Sequence, residues 1–247
     1  MDVSRSYPQL QNPPIVEAVL QWVARGTVNL SESEWKCELE KSFPEYQIYD
    51  QRRSEFEFQK NGNSHKIGFD NTLEGFRLVF PEKANPLFIC QFTKDGIIFS
   101  CLQPYQGWSK TWTEAQRFWQ KFEELLKPDS VSRIGLRFIN QIGAKDLSEV
   151  RKKISFGPSE FHWDSWKQEQ FFYQDRMKSK DGKYFLSLTR AANPEEGPGE
   201  MYTILDVDIY RNEPSDCRTE FETMRRLKNE LFFKTVIDAE NQFGAKK

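Results

Sequence analysis

Asp206 and Asp208 stand two residues apart in Ile204-Leu-Asp-Val-Asp-Ile-Tyr210, a run with the alternation of a strand. Alternate strand side chains point to opposite faces, so both carboxylates share one face. Paired strand acids of this kind hold Mg²⁺ in nucleotidyltransferases and polymerase palms, where the ion orients phosphates and activates a hydroxyl. That chemistry also needs a Gly-Ser helix start or a phosphate-cradling loop. No such helix start precedes the acids, and Gly197-Pro-Gly199 has Pro where an amide donor would be wanted. The preferred reading is that the two acids face solvent or pair with strand arginines, and no metal or other cofactor is expected.

The arginines come from Ser132-Arg-Ile-Gly-Leu-Arg-Phe-Ile-Asn-Gln-Ile142. Ile134, Leu136 and Phe138 fall on one face of this strand, and Arg133, Gly135 and Arg137 on the other. Gly135 leaves room above the sheet between the two guanidinium groups. Such a pair can grip a phosphate or carboxylate through bidentate donors. The simpler reading, which is preferred, is an ion pair across the sheet with Asp206, Asp208 or Glu17. Asn140, from the same motif, completes the polar candidates for ligand or partner binding.

His65 lies in a turn-rich stretch and His162 in Phe161-His-Trp-Asp-Ser-Trp166, neither beside a nucleophile, so no catalytic residue is assigned. Trp163 and Trp166, with Phe171, Phe172 and Tyr173, form an aromatic cluster that divides between core filling and a contact surface for a partner. Cys37, Cys90, Cys101 and Cys217 are scattered without a C-x-x-C pair, which with so few histidines excludes ordinary zinc spacing.

The elements that must position these groups can be read from the same sequence. A chain of 247 residues can bury one large core or two smaller ones, and its 21 Phe and 7 Trp supply the apolar area. Lys plus Arg at 35 nearly cancels Asp plus Glu at 37, which gives no general pull towards nucleic acid or an anionic membrane. Met1-Asp-Val-Ser-Arg-Ser-Tyr7 has no apolar signal core, and no run reaches the roughly 18 apolar residues of a membrane span, so a cytoplasmic location is expected.

Asn12-Pro-Pro14 leads into a strand from Ile15, and Ser31-Glu-Ser-Glu34 is a capping box ahead of a short helix. Antiparallel strands follow, with hairpins at Asn61-Gly-Asn63 and Asp95-Gly96. A long amphipathic helix then carries Trp112, Ala115, Phe118, Trp119 and Phe122 on one side. From Val131 the order recurs. Val19, Val23, Ser31, Glu34, Trp35 and Leu39 superpose without a gap on Ile134, Phe138, Asp146, Glu149, Val150 and Ile154. More strands follow, and a closing helix carries Phe221, Met224, Leu227 and Leu231. The expected fold class is α+β in two similar halves, 1–128 and 129–247, packed as one globular unit. Each half is strand, helix, antiparallel strands and long helix, an order like that of tandem TATA-binding-protein-like or helix-grip folds.

Asn12-Pro-Pro-Ile-Val-Glu-Ala-Val-Leu20, Arg133-Ile-Gly-Leu-Arg-Phe-Ile-Asn140, Leu205-Asp-Val-Asp-Ile209 and Leu231-Phe-Phe233 together resemble a sporadically distributed, uncharacterised prokaryotic protein family of similar length. The resemblance implies a bacterial or archaeal cytoplasmic protein of patchy occurrence, as accessory proteins of mobile or defence-related gene clusters often are, and brings no catalytic residues with it. The expected function is a non-enzymatic accessory or interaction protein whose partner is another protein, one encoded nearby, in an oligomeric state left open. The rival reading is a binder or metal-dependent processor of a phosphate-bearing ligand, using Arg133, Arg137, Asp206 and Asp208.

Overall fold

The computed structural model describes residues 7–61, 64–80, 87–155, 165, 168–194 and 201–245. The elements run β1 (Ile15–Val23), α1 (Glu32–Ser42), β2 (Gln47–Asn61), β3 (Ser64–Val79), β4 (Phe88–Thr93), β5 (Gly96–Leu102), α2 (Trp108–Leu126), β6 (Arg133–Ala144), α3 (Leu147–Lys153), β7 (Phe171–Lys178), β8 (Phe185–Pro194), β9 (Met201–Asn212), α4 (Cys217–Thr235) and α5 (Ala239–Phe243). The fold is mixed α+β, with one large antiparallel sheet in the order β2-β3-β4-β5-β1-β6-β9-β8-β7. By contacts the chain divides into two compact units. One comprises Met1–Leu20, Gln103–Gln106 and Arg133–Lys247, and the other Gln21–Leu102 and Gly107–Ser132.

Local chemistry explains where the helices begin. In α1 the Glu34 amide donates to Ser31 Oγ at 3.3 Å, and the Ser31 amide donates to Glu34 Oε2 at 3.0 Å, which satisfies two amides that a helix start leaves free. α3 starts the same way, the Glu149 amide donating to Asp146 Oδ1 at 2.8 Å. α4 starts at Asp216, which accepts from the Arg218 and Thr219 amides.

In the unit of Gln21–Leu102 and Gly107–Ser132, the meander β2 to β5 is covered by aromatic packing from both helices. Trp35 of α1 meets Phe76 edge-on at 5.2 Å, Phe118 of α2 stacks on Phe43 at 4.1 Å, and Trp119 stacks on Trp22 at 5.6 Å. Gly96 closes the β4–β5 hairpin at φ +129°, and a Cβ there would lie 2.0 Å from the Trp22 carbonyl oxygen, so only glycine fits. The β2–β3 pairing extends to Asn61 and Ser64. Residues 62 and 63 of the hairpin expected there lie outside the described residues.

In the other unit, β6, β9, β8 and β7 form a continuous antiparallel ladder. Ile134, Leu136, Phe138, Leu205, Val207 and Ile209 are buried on one face of it, and α4 contributes Phe221, Met224 and Phe232 to the same core. The helix is anchored there by polar contacts as well. Lys228 Nζ sits 4.1 Å above the Phe138 ring, and Arg211 Nε lies 3.1 Å from Glu220 Oε1. The opposite face carries Arg133, Gly135, Arg137 and Gln141 from β6 and Tyr202, Asp206, Asp208 and Tyr210 from β9.

Candidate functional site: the polar face of the β6-β9-β8-β7 ladder

The β6–β9 register sets Arg137 directly opposite Asp208, with Asp206 opposite Ile139. Arg137 reaches along the diagonal rather than straight across. Its Nε donates to Asp206 Oδ1 at 2.9 Å and Oδ2 at 3.1 Å, and its Nη2 donates to Asp206 Oδ2 at 2.7 Å. The pair is thus bidentate, with the carboxylate 13% and the guanidinium 46% exposed. Asp206 raises the affinity of Arg137 for its proton, against the opposing effect of partial burial. Asp208 is left beside this closed pair. Burial pushes its carboxyl above the ordinary value, Arg137 and Arg133 pull it down, and Asp206 adds like-charge repulsion.

Arg133 takes a different partner from the one expected of it. Its guanidinium carbon lies 4.1 Å over the ring of Tyr210, which pairs with Gly135 across the strands. Tyr210 in turn stacks on Phe185 at 4.9 Å with an interplanar angle of 8°, and Lys178 Nζ lies 5.2 Å from the Phe185 ring centre. Arg133, Tyr210, Phe185 and Lys178 therefore form a row across β6, β9, β8 and β7, cation-aromatic-aromatic-cation. In such a row the rings use their flat surfaces on one another, which leaves their edges for solvent. Arg133 Nε is buried and finds no hydrogen-bond partner among the described residues.

The structure brings Arg137, Asp206 and Asp208 together and sets Arg133 two positions along the same face, beyond Gly135. It separates Asn140 from them. Asn140 is 1% exposed on the opposite, helix-covered face, where its amide donates to the Leu205 carbonyl at 3.0 Å, a contact that ties β6 to β9 inside the core. Phe171 enters the core at 6% exposure while Phe172 projects at 68%. Trp163, Trp166 and His162 lie outside the described residues, as does the side chain of His65.

At the Ala144 end of β6 is an open hollow of about 400 Å³, lined in part by Gln103, Gln141, Gly143 and Tyr202. Among the described residues its lining holds no carboxylate, imidazole, amine or thiol. Among the described residues no group of three His, Cys, Asp or Glu side chains is placed to hold a metal ion, and no helix is long and apolar enough to cross a membrane.

Two features of this unit escaped the sequence. Tyr210 and Phe185 were visible as strand residues, and the parity of Tyr210 with Asp206 and Asp208, together with its position opposite a glycine, was the signal for the aromatic row. The second is a buried polar knot behind the sheet, in which the Tyr184 hydroxyl donates to Glu220 and Arg211 lies 5.6 Å from the Tyr184 ring. Burial, and then Glu220, raises the Tyr184 hydroxyl above its ordinary value. Glu220 sits one turn into α4 and looks like a solvent residue in sequence. No protein-family model matches the chain, and no curated protein is similar to it.

Proposed function

We propose that the chain is a binding protein without catalysis of its own, and that it engages another protein through the face of the β6-β9-β8-β7 ladder opposite α4. The observation that carries this reading is the arrangement of that face, where the Arg133-Tyr210-Phe185-Lys178 row adjoins the Arg137–Asp206 pair. Tyr and Arg are the residue types that dominate interface hot spots, and rigid, stacked side chains lose little entropy on binding. The closed Arg137–Asp206 pair argues in the same direction, because a catalytic metal at Asp206 would first have to displace a bidentate guanidinium. A partner encoded nearby, in a mobile or defence-related cluster, is the association that the sequence resemblance suggests.

Co-expression with the products of neighbouring genes tests this. A stoichiometric complex that survives gel filtration is the expected result, and no complex with any of them counts against the proposal. A second reading has one observation in its favour. Arg133 and Arg137 lie close enough to Asp208 to pull its carboxyl down, with Asp206 beside it, so cations and carboxylates share one face as a phosphate-bearing ligand with a metal ion would need. Calorimetry with inorganic phosphate, with and without Mn²⁺, separates the two, since the binding-protein reading predicts no heat of binding lost in Asp208→Asn.

The proposed origin of the fold is duplication of one half. It is supported by the caps Ser31 and Asp146, which occupy superposed positions, by the burial of Trp35 and Leu39 and of Val150 and Ile154 behind them, and by the mirrored strand orders on the two sides of β1 and β6.

A further inference from the structure

We propose that the chain self-associates through β7, two copies pairing antiparallel about a two-fold axis at Gln174 so that the sheets join edge to edge. This does not depend on the function proposed above, since it uses the edge of the ladder and not its face. β7 ends the sheet order, and among the described residues no strand pairs with its other edge. Edge strands are usually disarmed by bulges, prolines, shortness or charged side chains. β7 has only the last of these, in Asp175, Arg176 and Lys178. It runs for 8 residues in unbroken register against β8 and contains no proline.

Its charges are interleaved with exposed apolar side chains. Among the described residues the large apolar side chains most exposed to solvent are Tyr49, Phe172, Tyr173, Met177 and Ile237, and three of these five lie on β7, so the exposed apolar surface is concentrated there. The main chain shows which groups are free. The Ser179 amide donates to the Tyr184 carbonyl at 2.9 Å beyond the Lys178–Phe185 pair, so Lys178 and Phe185 form a non-hydrogen-bonded pair. Alternation then turns the amides and carbonyls of Phe172, Gln174 and Arg176 away from β8, towards the open edge.

A two-fold axis perpendicular to the sheet keeps each face continuous, which restricts pairing to registers centred on a residue. Centring on Asp175 or Arg176 would oppose like charges across the axis, which is destabilising. Centring on Gln174 opposes Gln174 to itself, Phe172 to Arg176, Tyr173 to Asp175 and Phe171 to Met177. That register sets a cation against an aromatic ring on one face and sulfur against an aromatic ring on the other, twice each. It also pairs the free groups of Phe172, Gln174 and Arg176 in about six main-chain hydrogen bonds.

Sedimentation equilibrium of the full chain over a concentration series tests the proposal, with two variants. Gln174→Pro removes an amide that faces the open edge and leaves the β8 pairing intact, as prolines on edge strands do. Gln174→Glu places two like charges at the axis. The wild type is expected to dimerise in the micromolar range, and each variant to weaken the dimer by at least about tenfold, with circular dichroism unchanged. Gln174→Cys should form a disulfide-linked dimer on mild oxidation. A wild type that stays monomeric, or a dimer that both variants leave unchanged, overturns the proposal.

Discussion

Removing Asp206 and removing Arg137 should destabilise the fold unequally, and the inequality follows from the register. Arg137 is bidentate to Asp206 but directly opposite Asp208. In Asp206→Ala the guanidinium can swing to Asp208, relieving both the loss of its partner and the repulsion that Asp208 felt from Asp206. In Arg137→Ala nothing replaces the cation, and two carboxylates remain on one strand face with Asp208 already partly desolvated. Exposed pairs contribute up to about 1 kcal/mol, whereas breaking a buried one costs about 3 to 5. With 13% exposure at Asp206 and 46% at Arg137 this pair lies between those limits. We expect about 2 kcal/mol for Arg137→Ala, about 1 for Asp206→Ala, and a coupling of about 1 kcal/mol in the double-mutant cycle. Urea unfolding with constant slope measures all three. A coupling indistinguishable from zero, or Asp206→Ala costing more than Arg137→Ala, would refute the reasoning.

Two further predictions concern pH. Burial holds the Asp208 carboxyl above its ordinary value, so the folded chain binds that proton more tightly than the unfolded one. This group's contribution is therefore greatest below the unfolded pKa and is lost as pH rises through the folded one. Asp208→Asn should raise the unfolding midpoint at neutral pH and flatten its dependence on the acid side, and a lower midpoint at neutral pH would contradict the assignment. Lys228 is the opposite case. Burial, with Arg225 nearby, pushes its amine down to about 7, so stability from this group falls as pH drops from the unfolded lysine value towards 7. Lys228→Met should stabilise the fold at neutral pH by about 2 kcal/mol. That is less than half of the full linkage, because the Phe138 ring favours the ammonium form and the side chain keeps some solvent access. A midpoint that is unchanged or lower at pH 7 would count against it.

Much of the architecture was legible because local signals agreed with the global pattern. The Ser31 and Asp146 caps, the Asp95-Gly96 hairpin and the apolar stripe of α2 each rest on a few neighbouring residues, and each stands in the structure. Alternation alone put Asp206 with Asp208, and Arg133 with Arg137, each pair on one face of its own strand. What alternation cannot supply is register. Whether Arg137 stands opposite Asp206 or Asp208 depends on how β6 slides against β9: two residues of slip would exchange them, and one would turn Arg137 to the other face. Asn140 shows the same limit, since its parity places it with Phe138 and the core while its polarity suggested a surface role. Glu220 was hidden because its burial comes from Arg211 and Tyr184, which lie far from it in sequence.

The central claim, that the ladder face opposite α4 is the binding surface, is tested most directly by measuring the affinity of a captured partner for variants of that face. Thr189→Arg places a bulky side chain on β8 opposite Asp206, and Arg133→Ala removes one end of the aromatic row. Neither position belongs to the helix-covered core. Titration calorimetry should show each variant binding at least about tenfold more weakly than the wild type, with unfolding midpoints close to wild type. Affinities that stay at the wild-type value in both variants would contradict the account and move the binding surface elsewhere on the molecule.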